Sequence, residues 1–121
     1  MLTKSLSACR EILAGDKTIL RELLHPSRDP ATIRYSLAHA KLLPRTASVP
    51  HRLKTSEVYY FISGRGRMHI DGETTVVGPE QAVYVPPGAE QHVENIGTDD
   101  LFFLCIVDPA WRAEDEQVLN L

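Results

Sequence analysis

The chain has 121 residues, a net charge of -3 and an isoelectric point near 5.9. That length builds one domain with a real core and not two, and Lys and Arg scattered singly give no electrostatic footprint for nucleic acid. The longest apolar run, Leu101 to Val107, falls well short of the roughly 20 residues of a membrane-spanning helix, so neither a nucleic-acid nor a membrane partner is expected.

In chain order, Leu2, Leu6, Cys9 and Leu13 recur at steps of four and three, with Gly15 behind them, which predicts a short amphipathic helix. Leu6 to Cys9 has the look of a lipoprotein cleavage box but lacks the apolar run that must precede one. Branched and apolar residues from Thr18 to Leu24 predict a strand that Pro26 stops. After a polar turn, Ile33 to Leu43 reads as a long strand. One of its faces carries small residues, including Ser36, Ala38 and Ala40, and can pack under a neighbour.

His51 and Leu53 then share one face of an extended segment. Lys54, Thr55 and Ser56 turn the chain, and Glu57, Tyr59 and Phe61 share a face of the next strand. Read as a hairpin, this stretch aims an imidazole and a carboxylate at one interior. Gly66 to Ile70 alternates up to Asp71-Gly72, a strong hairpin signal before the returning strand Glu73 to Val77. Brief strands follow over Ala82 to Val85, Gln91 to Ile96 and Leu101 to Val107, divided by Gly, Pro and Asp turns. Eight or so short, evenly spaced strands predict an all-β barrel or jelly roll. The tail from Ala110 carries Trp111 and reads as a short helix or an arm on a partner. Cys9 and Cys105 lie far apart in sequence and read as free thiols of a cytoplasmic chain.

Two stretches carry a resemblance. His51, Glu57 and Gly64 stand at the spacing of the first motif of the cupin superfamily, and Pro86, Gly88 and Asn95 at that of the second. The resemblance implies an all-β double-stranded β-helix, or jelly-roll, barrel over 18–109. A short N-terminal helix or arm precedes it over 1–17, and a C-terminal arm follows over 110–121, in a single domain. In cupins two motif-one histidines, the glutamate and a motif-two histidine hold a divalent metal. Here Leu53 and Gln91 replace two of those histidines, and Arg45 and Glu80 replace the leading glycines of the two motifs. The resemblance therefore implies a weak or optional divalent metal (Mn, Fe, Ni or Zn) at His51, Glu57 and Gln91, because an uncharged amide oxygen holds such ions less well than imidazole.

His92, one residue beyond Gln91, points to the opposite face unless a bulge intervenes. Glu57 and His51 are the catalytic candidates, with Gln91, Tyr59 and Tyr84 as substrate contacts; Tyr59 also reads as barrel filling, and Tyr84 either lends its hydroxyl or lies outside. His25, His39 and His69 read as strand histidines with local partners. By resemblance the lumen takes a polar small molecule, a sugar or oxo acid, for metal-dependent isomerase, lyase or dioxygenase chemistry. The alternative is a metal-free binding or sensing module. Open strand edges and apolar ends predict a homodimer.

Overall fold

A computed structural model describes residues 1–119; the last two positions of the expected C-terminal arm, 120–121, lie outside them. Among the described residues eleven short strands form two antiparallel sheets. They are β1 (Glu11–Leu13), β2 (Ile19–Leu24), β3 (Ser36–Leu42), β4 (His51–Leu53), β5 (Ser56–Ser63), β6 (Gly66–Ile70), β7 (Glu73–Val77), β8 (Ala82–Val85), β9 (Glu90–Asn95), β10 (Leu101–Asp108) and β11 (Glu116–Val118). One sheet runs β1-β2-β3-β10-β5-β8 and the other β11-β4-β9-β6-β7. Side chains alternate inward and outward along each strand, and the inward sets of the two sheets meet in the barrel core. No helix of the described residues is long and apolar enough to cross a membrane.

Three expectations need correction. The N-terminal helix is a single 3-10 turn, Leu6–Ala8. Only Leu6 and Cys9 of its supposed apolar stripe are half-buried, while Leu2 and Leu13 stay exposed, so no packed face stabilises a helix of that length. Glu11 to Leu13 instead takes the free edge of β2. The third strand starts at Ser36 rather than Ile33. Its partner β10 pairs Val107 with Ser36 and ends at Asp108, and Pro109 has no N–H with which to extend the ladder.

The stretch around His51 and Glu57 is not a hairpin either. β4 pairs with β9 and β11, whereas β5 pairs with β10 and β8, so residues 54–55 turn a corner between sheets. His51 and Glu57 consequently approach the interior from opposite walls. The tail also finds a place within the chain: a 3-10 turn at Ala113–Asp115 leads into β11, which pairs with β4.

The motif residues have visible jobs. Gly64 has a φ of 92°, and a Cβ there would sit 2.7 Å from the Asp100 carbonyl oxygen, so only glycine fits. The amide of Asn95 donates to the carbonyls of Leu42 and Asp99 at 2.9 and 2.8 Å and accepts from the Gly97 N–H, pinning three segments at one barrel end. Arg45 and Glu80, which stand where the resemblance expects glycine, adopt left-handed φ values of 63° and 69°. The turns have kept the glycine conformation without the glycine, at a cost of about 1–2 kcal/mol each.

Candidate functional site

The site follows from three facing rows of side chains. Where β3, β10 and β5 lie side by side, Ala40, Phe103 and Phe61 form one row, Ala38, Cys105 and Tyr59 the next, and Ser36, Val107 and Glu57 the third. The first row is filled: Phe61 and Phe103 have ring centroids 5.4 Å apart and pack with Leu42, Met68, Val93 and Leu101. The other two rows use small residues on β3 and β10. A cavity of about 430 Å³ opens there, bounded by Tyr59 and Phe103 and lined also by Asp16, Thr18, His51, Leu53, Glu57 and Glu116. This is the size of a small-ligand site.

Glu57 is buried, at 6% exposure, and its Oε1 has no hydrogen-bond partner among the described residues. Burial, with the Asp16 charge second and Glu116 adding to it, pushes its carboxyl from 4.5 up to about 8, while Gln91 and the Cys105 thiol act weakly the other way. The group is thus mostly neutral at pH 7 and can donate a proton or a hydrogen bond. Burial likewise pushes the Cys105 thiol and the Tyr59 hydroxyl well above their ordinary ranges. Both remain neutral.

His51 is buried. Its Nδ1 lies 2.8 Å from the Val49 carbonyl oxygen, which can only accept, so Nδ1 carries a proton. Nε2 is left toward the cavity, 3.6 Å from Asp16 Oδ2. Asp16 sits in the β1–β2 turn, where its Oδ1 accepts from the Thr18 N–H and hydroxyl at 3.1 and 2.8 Å. The turn is fastened to the barrel by the Val49 N–H, which donates to the Asp16 carbonyl at 2.7 Å. Glu116 accepts from the Trp111 indole at 2.8 Å.

Of the residues singled out from sequence, His51, Glu57 and Tyr59 line this cavity. Gln91 faces inward at 1% exposure, paired with His51 across β4 and β9, but its Oε1 accepts from the Tyr59 hydroxyl and it stands behind the cavity wall. Tyr84 is corrected: it is 62% exposed, opposite the outward Val58. The buried Val85 beside it carried the parity that could have shown this. His92 lies outward in a register with β6 that has no bulge. His25 has its local partners, Ser27 and the Trp111 carbonyl. Asp16 and Glu116 were missed, because a turn acid and a tail acid reach the cavity only through long-range folding.

The metal centre that the fold implies needs donors at 51, 53, 57 and 91. Leu53 offers none, and the Gln91 oxygen is committed to Tyr59, so the lumen residues do not supply that ligand set. Among the described residues, three ligand atoms from His, Cys, Asp or Glu gather within 4.8 Å of one another at His69, His92 and Glu94, on the outer face of the second sheet.

Comparison with known proteins places the fold. The uncharacterized protein MJ1618 of Methanocaldococcus jannaschii is 37% identical over 109 residues, covering 89% of this chain and 86% of that protein. A predicted oxalate decarboxylase from Thermotoga maritima superposes with a TM-score of 0.79 at 20% identity, over 89% of this chain and 99% of that one. The polyketide cyclase RemF from Streptomyces resistomycificus gives 0.83 at 20% identity, over 100% of this chain and 87% of that one. These structures share the fold. The family described as Cupin domain, Cupin_2, matches residues 38–107, and with the two-sheet barrel around Glu57 the chain belongs to the cupins.

Proposed function

We propose that the lumen binds a neutral, hydroxyl-rich small molecule of the sugar class and that Glu57 meets it with a neutral carboxyl. One observation carries this reading: an unpaired oxygen on a buried carboxyl lining a cavity. A buried polar atom without a partner costs about 1–3 kcal/mol, and a ligand hydroxyl supplies the missing hydrogen bond. Asp16 and Glu116 make the lumen acidic, which disfavours the oxo acids that the fold alone would permit. Of the two arginines at the mouth, Arg28 is already paired with Glu22.

Among the reaction classes open to cupins, proton transfer of isomerase or lyase type suits this lumen. Glu57 would give the proton, and His51 Nε2 would receive one. At most His51 and Glu57 would touch a lumen metal. Binding without turnover is the second reading, favoured by the loss of two family imidazoles. Unpaired Cys9 and Cys105 suit a reducing, cytoplasmic setting. A homodimer would pair the outer face of the six-stranded sheet, where Tyr60, Ile62 and Tyr84 stand exposed; light scattering showing a monomer at high micromolar concentration removes that part.

The test is calorimetric titration with neutral sugars and with matched oxo acids, on the wild type and on Glu57→Gln. Neutral sugars should bind and the variant should bind them at least about tenfold more weakly. Binding of oxo acids alone, or equal binding by the variant, defeats the reading. NMR spectra of the bound sugar over time separate turnover from simple binding.

A further inference from the structure

We propose that the outer face of the second sheet carries a transition-metal site, made by His69, His92 and Glu94, that is independent of the lumen. His69 and His92 are direct cross-strand partners on β6 and β9. Their rings stack with centroids 4.0 Å apart and 9° between planes. Glu94 follows two residues after His92 on the same face, and its Oε1 lies 2.5 Å from His69 Nε2. One ligand atom from each of the three lies within 4.8 Å of the others.

The strands hold this set in place. The ladder from Gly66–Asn95 to Ile70–Gln91 is unbroken, so both imidazoles and the carboxylate share one face by parity alone. In a tetrahedral site with bonds of about 2.0–2.2 Å, ligand atoms stand about 3.4 Å apart. Closing the present set takes rotation of the stacked rings and release of the hydrogen bond between His69 and Glu94. Two nitrogens and one carboxylate oxygen are borderline donors that suit Zn, Ni, Co or Cu over Mg or Ca. Three protein ligands leave at least one position for water or an outside ligand.

Neighbouring charges permit this. Arg67 Nη1 is 4.0 Å from Glu94 and its side chain is 44% exposed, so it can swing into solvent. Glu90, next along the same face of β9, is engaged by Arg52 at 3.5 Å.

The test is titration of chelator-treated full-length protein with zinc by calorimetry and with cobalt by visible absorption. About one equivalent should bind to the wild type and equally to His51→Ala. His92→Ala and Glu94→Gln should each weaken binding at least about tenfold, with circular dichroism and thermal melts showing the fold intact. Protection of His69 and His92 from diethyl pyrocarbonate by zinc provides the same readout on the wild type, without any variant. No binding at millimolar zinc, binding lost in His51→Ala, or binding unchanged in His92→Ala each overturns the proposal.

Discussion

The two ends of the barrel interior rest on the same three strands and behave oppositely. At one end Ala40 lets two phenyl rings meet beside Leu42 and Leu101, and the interior closes on itself. In the next two rows Ala38 and Ser36 face Cys105 and Val107, and the space they leave is bordered by ionisable groups. A few missing side-chain atoms, set by strand parity, decide whether a carboxyl is packed away or kept at a cavity wall. The closed end supplies stability that offsets the cost of burying polar groups at the other.

Phe103→Ala should break the closed end hardest, at about 3–5 kcal/mol by urea unfolding. A loss well under this would show that the two ends share one pliable interior.

Glu57→Gln should matter in proportion to pH. The folded carboxyl titrates near 8 against 4.5 for the ordinary group. The contribution of its protonated form is therefore complete below pH 4.5 and lost as pH rises through 8. The variant should match the wild type near pH 4 and exceed it by about 2 kcal/mol at pH 9, less than the full shift implies because water can enter the cavity. Parallel stability curves across that window would contradict the enclosure of Glu57.

Tyr59→Phe tests the wall between the ends. It strips Gln91 Oε1 of its donor, and an unsatisfied buried amide should cost about 1–3 kcal/mol in the same unfolding assay. Ala38→Leu converts the open end toward the closed one. It should abolish ligand binding while stability moves by less than about 1.5 kcal/mol; retained binding would place the ligand elsewhere. The smallest effect belongs to turns remote from both ends: Arg45→Gly and Glu80→Gly should each gain about 1 kcal/mol by relieving left-handed backbone.

Much of this contrast was legible in the chain. Alternation put Glu57, Tyr59 and Phe61 on one face, and motif spacing put Gln91 rather than His92 inside, because parity is a local property. What stayed hidden depended on partners distant in sequence. That β4 and β5 belong to different sheets is settled by β9 and β10. That Asp16 reaches His51 depends on where β1 and β2 lie. The pairing of His69 with His92 requires the β6–β9 register, which no spacing within either strand states. The N-terminal stripe misled because a helical period needs a surface to bury against, and β2 offered an edge instead.

The tether from the Val49 N–H to the Asp16 carbonyl separates the chemistry of the lumen into a permanent and an exchangeable part. Glu57 and His51 are built into the walls, whereas Asp16 arrives on a short turn fastened to the barrel through the Val49 N–H. Recoding that turn, for instance by exchanging its acid for a lysine, would make the lumen less acidic and open it to anionic ligands while leaving the barrel strands in place. New specificities in such a protein can thus be sought in five residues, 14–18, rather than in the whole shell.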